Sequence, residues 1–236
     1  MTADLFYTRL DSTMEECKRL EQCLGRGHRL SVRTAEQSAG RGRDQHSWHS
    51  PHGGLWLSFT LPSLPQVPSF TLYLGCCVHQ LLQVLFSLPD LMLKWPNDLM
   101  LGTRKLAGLL CEYSEQRSRY LIGIGINTNN MPDDALLQFN TSILSDNLGY
   151  TVSNDLLSHL LIHRVRAQRG WLEHPRIYID YCNLYLYGYG RQIEITGTQS
   201  EPLRGIMSGI APDGALLLKV DGKLRQVYAG SLQVLD

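Results

Sequence analysis

The stretch from Ser69 to Phe86 is apolar nearly all round and long enough for a helix. A helix without a polar face has to be buried. The segments around it read mostly as strands. Leu55, Leu57, Phe59 and Leu61 recur at period two, the pattern of a strand with one buried side. Leu91 to Trp95 and Leu99 to Leu101 read as a hairpin around Pro96-Asn97-Asp98. Leu106 to Tyr113 and Tyr120 to Ile126 are further strands. Two more helices are predicted. Ser12 to Leu24 has Ser12 or Thr13 as cap and Glu15 and Glu16 in its first turn. Asn154 to Trp171 places Leu156, Leu157, Leu160, Leu161 and Val165 on one side. Ser31 to Glu36 is a short strand, and the polar, glycine-rich run Gln37 to His52 is a loop. The sum is an α+β fold: strands in one mixed sheet with helices against it.

The rhythm changes after Gly188. Arg191 to Thr196, Leu203 to Ile210, Ala215 to Val220 and Leu224 to Ala229 are short alternating segments. Asp213-Gly214 and Asp221-Gly222 are tight-turn signals between them. Such a tail predicts a small β-barrel. The expected domains are therefore 1–187 and 188–236.

Basic and acidic residues balance at 22 each in the 236-residue chain. No global field is available to hold nucleic acid, so an anionic ligand needs a local cluster. The six cysteines include no C-x-x-C pair, which argues against structural zinc. Cys76 and Cys77 sit in the apolar run and read as core. The N-terminus has no signal-peptide pattern, and no apolar run reaches the length of a membrane span. The expected compartment is the cytoplasm.

Three clusters carry chemistry. Gly40-Arg41-Gly42-Arg43 combines close backbone approach with guanidinium forks that suit carboxylate or phosphate. No Gly-Lys-Ser/Thr follows, so it is not a P-loop, and a solvated basic loop is the bland alternative. Lys94-Trp95-Pro96-Asn97-Asp98 ends an apolar strand with an ammonium. Burying that charge calls for a partner. Asp98 serves as that partner or as a Mg²⁺ ligand; a purely structural Lys–Asp pair is the alternative. Gly123-Ile124-Gly125-Ile126-Asn127 puts glycines inside a strand, marking close approach of a ligand or simple packing. Lys105, before Leu106-Ala107-Gly108, is a further candidate. His46, His49 and His52 are spaced three apart, but on a loop that spacing gives no common face for a metal.

Asp11-Ser12-Thr13, Gln37, Gly40 to Arg43, Trp48, Ser50-Pro51, Lys94 to Asp98, Lys105 to Gly108 and Gly123 to Asn127 follow one another in an order that resembles the biotin protein ligase family. The likeness runs from about Asp11 to Asn127 and more loosely through the C-terminal segment. It implies a class II synthetase-like catalytic domain and an SH3-like barrel. It also implies an activity: biotin and ATP yield biotinyl-5′-adenylate, and biotin then passes to a lysine of a carboxylase's biotin carboxyl carrier domain. By motif, Ser12, Thr13, Gln37, Gly40, Arg41, Gly42, Arg43, Lys105, Gly108, Gly123 and Gly125 line the biotin site. Arg41, Arg43, Trp48, Asn97 and Asn127 lie by the nucleotide. Lys94, Arg43 and Lys105 are the implied catalytic residues. ATP with Mg²⁺ is implied as substrate complex, with Asp98 as the Mg²⁺ candidate and no tightly bound metal. The physics agrees. A carboxylate attacking an anionic α-phosphate needs positive charge nearby, and the mixed anhydride formed needs shelter from water.

Two departures stand out. The family loop continues with a second Gly-Arg, where this chain has Gln45 and His46 after Asp44. Gly230-Ser231-Leu232-Gln233 matches the family's C-terminal signature only in part. Rival readings are a lipoate or octanoate protein ligase or transferase, and a non-catalytic biotin-adenylate-binding regulator. About ten residues precede Asp11, too few for a DNA-binding helix-turn-helix, so nucleic acid is not an expected partner. A monomer or a homodimer, without membrane association, is expected.

Overall fold

The computed structural model describes residues 2–24, 28–62, 64–130, 140–197 and 201–235. In chain order the strands are β1 (Thr2–Leu10), β2 (Arg29–Gln37), β3 (Leu55–Pro62), β4 (Leu91–Lys94), β5 (Asp98–Leu101), β6 (Arg104–Ser114) and β7 (Arg119–Ile126). The later strands are β8 (Gln192–Thr196), β9 (Leu203–Ile210), β10 (Leu216–Val220), β11 (Lys223–Val227) and β12 (Ser231–Val234). The helices are α1 (Thr13–Cys23), α2 (Phe70–Phe86), α3 (Leu144–Leu148), α4 (Asn154–Ala167) and α5 (Arg176–Leu184). Hydrogen bonding orders seven strands β1-β2-β3-β7-β6-β5-β4 and the other five β11-β10-β9-β8-β12. The chain divides into two compact units, Met1–Gln66 with Thr103–Arg166 and Val67–Gly102 with Ala167–Asp236.

In the first unit β1 and β2 run parallel, while β2–β3, β3–β7 and β7–β6 are antiparallel. Helix α1 starts where Ser12 leaves the extended region and its Oγ accepts from Glu15 N. Its buried side, Met14 and Cys17, packs with Leu30, Val32 and Leu121. β3 departs from the sequence reading. It is buried on both faces, not one. Its polar alternates are absorbed by hydrogen bonds: Thr60 Oγ1 accepts from Leu30 N, and Ser58 Oγ lies 2.7 Å from Thr13 Oγ1. Helix α4 stops at Ala167, and a 3₁₀ turn covers Arg169–Glu173. Leu157, Leu161 and Val165 are buried as predicted, but Leu156 is exposed, and Ser158 and Ile162 face inward.

In the second unit α2 is the buried helix foreseen, with Cys76, Cys77 and His79 fully enclosed. β4 and β5 form the hairpin, pairing Lys94 with Asp98 across the turn. Five antiparallel strands make up the tail. The turn at Gly214 has φ +93 and lies against Ser69, where a Cβ would sit 2.9 Å from the serine Cβ. Trp95, almost fully buried, donates its indole N–H to the Gly214 carbonyl at 3.1 Å. Strand β1 and helix α5 had not been foreseen. β1 carries charges at Asp4 and Arg9, and α5 is a short tyrosine-bearing helix whose buried face is Tyr178, Ile179 and Cys182.

Candidate active site

A glycine floor lies on one face of the first unit's sheet. Gly123 and Gly125 are two apart on β7 and so share a face. Gly108 on β6 pairs directly with Gly125, and Ser58 on β3 directly with Gly123. Directly opposed residues project to the same side. A Cβ at Gly125 would meet Trp48 Nε1 at 2.8 Å and Cε2 at 2.9 Å; one at Gly108 would meet the same ring at 2.7 Å. A Cβ at Gly123 would meet Met14 Sδ at 3.0 Å. The bare backbone is thus covered by an indole and a thioether lying flat against it.

At one edge of the floor sits a polar chain. Thr13 donates to Gln37 Oε1 from its backbone N at 2.8 Å and from its hydroxyl at 3.1 Å. Gln37 Nε2 donates to Ser50 Oγ at 2.8 Å, and Ser50 Oγ donates to the Trp48 carbonyl. The start of α1, the end of β2 and the loop before β3 are thereby locked in one geometry. Ser12, Thr13 and Ser50 are buried.

The basic loop is folded back on itself. Trp48 N donates to Gly40 O, Gly42 N to His46 O, and His46 N to Arg43 O. A Cβ at Gly40 would fall 2.4 Å from the Trp48 carbonyl oxygen, so that position needs glycine for contact alone. Asp44 adopts φ 51 and its carboxylate lies 3.8 Å from Arg43. Asp44, which precedes the two positions that depart from the family pattern, therefore offsets charge inside the loop. Arg41 pairs with Glu15 of α1 at 3.3 Å. Lys105 places Nζ 4.8 Å from the Trp48 ring centroid, a cation–π geometry, and its Cε lies 3.5 Å from a Gly108 Cβ position.

Asn127 ends the β7 strand. Its backbone N and Nδ2 both donate to Leu106 O, while Oδ1 is buried with no hydrogen-bond partner among the described residues. Trp48 Nε1 is likewise buried and unpartnered among them. Buried polar atoms without a partner are uncommon, and both of these are free to accept or donate to a ligand.

Ser12, Thr13, Gln37, Gly40, Arg41, Gly42, Arg43, Trp48, Lys105, Gly108, Gly123, Gly125 and Asn127 all belong to the first unit; Lys94, Asn97 and Asp98 belong to the second. Residue patterns had not singled out Ser58 or Met14. A serine in an apolar strand and a methionine after the Ser-Thr cap give no signal until the register sets them against Thr13 and Gly123. Among the described residues no three His, Cys, Asp or Glu side chains gather as a metal site, and no helix is long and apolar enough to cross a membrane.

A model described as "Biotin/lipoate A/B protein ligase family" matches residues 8–129, and one described as "Biotin protein ligase C terminal domain" matches residues 188–234. The chain belongs to the biotin/lipoate A/B protein ligase family. Among curated members of the biotin/lipoate ligase family, the "Bifunctional ligase/repressor BirA" of Bacillus subtilis is 30% identical over 211 residues, covering 84% of this chain and 64% of that protein. The chain thus spans about two thirds, and slightly less, of the length of the first curated relatives it matches. The "Biotin--[acetyl-CoA-carboxylase] ligase" of Paracoccus denitrificans is 27% identical and covers 89% of this chain and 92% of its own. Among solved members of the family, the biotin protein ligase of Aquifex aeolicus, in complex with biotin and ATP, superposes with a TM-score of 0.85 at 22% identity over 99% of both chains.

Proposed function

We propose that the chain activates biotin with ATP and transfers it to a lysine of a carboxylase's biotin carboxyl carrier domain. The observation that carries this reading is the glycine floor of Gly108, Gly123 and Gly125, bordered by the Thr13–Gln37 pair and by Lys105. An apolar bicyclic ligand with a urea head suits that border. The head needs both donors and acceptors when buried, and Ser12, Thr13 and Gln37 offer hydroxyl and amide groups. A dithiolane, the head of lipoate, offers these hydroxyl and amide groups no strong donor or acceptor of its own, which favours biotin over the lipoate branch.

In the first half-reaction an oxygen of the biotin carboxylate attacks the α-phosphorus of ATP. The bond to the β-phosphate oxygen breaks and pyrophosphate leaves. Two anions approach, so cations are required. Lys105, Arg41 and Arg43 supply them in the first unit, and Lys94 is the catalytic lysine by motif in the second. Mg²⁺ would enter with ATP as part of the substrate and would offset phosphate charge; Asp98 is the carboxylate that would hold it. The Oδ1 of Asn127 suits the exocyclic amine of adenine. In the second half-reaction the neutral amine of the carrier lysine attacks the acyl carbon, the acyl–phosphate bond breaks, and AMP leaves. The loop Gly40–Arg43, which closes on itself through Trp48, shields the mixed anhydride from water. The cytoplasm, where thiols stay reduced, is the proposed compartment.

The test is biotin-dependent exchange of labelled pyrophosphate into ATP, run with lipoate in a parallel arm. Exchange with biotin alone is expected. Exchange with lipoate alone would move the chain to the other branch. Lys94→Ala is expected to abolish exchange while biotin still binds by calorimetry; exchange at the normal rate would remove Lys94 from its role.

A further inference from the structure

His79 is a polar residue at the middle of a mostly apolar helix, and it is fully buried. Both ring nitrogens are engaged: Nε2 lies 2.8 Å from the carbonyl oxygen of Leu91, and Nδ1 lies 2.7 Å from the Tyr181 hydroxyl. A carbonyl only accepts, so Nε2 carries the proton and Nδ1 accepts from Tyr181. The rings of Tyr181 and Tyr185 flank the imidazole at centroid distances of 5.5 and 4.5 Å. An imidazole in such surroundings is costly unless its hydrogen bonds are met, and an aliphatic side chain would pack there without that demand. Its partners show what the polar group achieves. Leu91 opens β4, a strand of four residues that ends at Lys94. Two residues along, Leu93 N donates to Tyr185 O and Tyr187 N donates to Leu93 O, each at 2.8 Å. Tyr181 and Tyr185 stack on each other at 4.7 Å and lie at the end of α5. One short strand is therefore pinned at Leu91 by His79 and at Leu93 by the chain that follows α5.

We propose that His79 is a positioning residue for Lys94, fixing the height and twist of β4 through the Leu91 carbonyl and the Tyr181 hydroxyl. The inference rests on the reading of Lys94 as the reactive lysine. β5 pairs with β4 along one side, His79 and the chain at Tyr185 to Tyr187 hold the other, and losing one of those ties lets the end of this four-residue strand shift. A displacement of about 1 Å at a reacting group lowers rate by roughly a hundredfold at most without changing ligand affinity elsewhere.

The experiment is the pyrophosphate exchange assay on the full chain, with kcat and the KM for biotin measured separately and melting temperature recorded. His79→Leu is expected to lower kcat by about tenfold or more while the biotin KM stays within about twofold. His79→Gln, whose amide nitrogen reaches the Leu91 carbonyl, is expected to recover most of the lost kcat. A His79→Leu protein with full kcat overturns the inference, and so does a loss shared equally by kcat and KM. If His79→Leu does not fold, Tyr181→Phe carries the test: a lower kcat at unchanged KM supports the role, and an unchanged kcat overturns it. Absence of biotin-dependent exchange in the unaltered chain would instead overturn the ligase reading itself.

Discussion

Gly125 leaves no room for even a methyl group, because the indole of Trp48 occupies that space at 2.8 Å. Gly125→Ala must push the ring away or bend β7. Overpacking of this kind costs about 1–3 kcal/mol. The variant is expected to melt lower and to bind biotin at least about tenfold more weakly, as calorimetry would show. Unchanged biotin affinity would mean that the glycine floor is not the biotin surface. His79 provides a second prediction at this scale. Burial holds its imidazole below the ordinary histidine pKa. The unfolded chain then binds the proton more readily than the folded one, so stability falls once pH drops through about 6.5 and levels off below the folded value. Tyr181 and Tyr185 face the ring. The melting temperature should therefore drop more between about pH 7 and pH 5 for the unaltered chain than for His79→Gln. Parallel pH profiles would show that the imidazole is not the group responsible.

At the scale of elements, helix α1 is tied to β7 by an ion pair. Arg119 Nη1 donates to Glu21 Oε1 at 2.5 Å, with side-chain exposures of 4% and 12%. Arg117 adds a bond to the Glu21 carbonyl at 2.7 Å, closing the C-terminal end of the helix. Removing one partner strands a buried charge, whereas removing both does not. Arg119→Leu is expected to cost about 3–5 kcal/mol in urea unfolding, and the double change Glu21→Leu with Arg119→Leu should recover most of it. If the double variant is no more stable than the single one, the pair holds α1 through packing alone. The same element shows where pattern reading stops. The Ser12 or Thr13 cap and the acidic first turn located α1 to within a residue at each end of Ser12 to Leu24, because capping is a local property. β1 had no such mark. Its nine residues mix charge, aromatics and threonine, and they become a strand only by pairing with β2 from Thr2 to Leu10.

For the whole molecule, charge balance has a direct consequence. With 22 basic and 22 acidic residues, the chain carries no net positive charge to draw it to DNA. A gel-shift of the full chain with biotin and ATP present should show no retarded duplex at physiological salt; a salt-sensitive band would demand a basic surface that the balance conceals. Lys94 and Lys105 are eleven positions apart, yet they fall in different units, the first grouped with the C-terminal strands and the second with the glycine floor.

Taken alone, the sequence determined the family and most elements of regular structure, and it proposed the candidate site residues. Those depend on local chemistry: glycine where a side chain cannot fit, arginine beside glycine, a cap before a helix, alternation at period two. Only the tertiary structure decided that Trp48 and Met14 lie on the glycines, that Ser58 turns inward to Thr13, and that His79 holds the strand of Lys94. Each of these is a contact between residues distant in the chain, except for Lys94 and its own strand. Such contacts arise from strand register and helix packing, which no local pattern encodes.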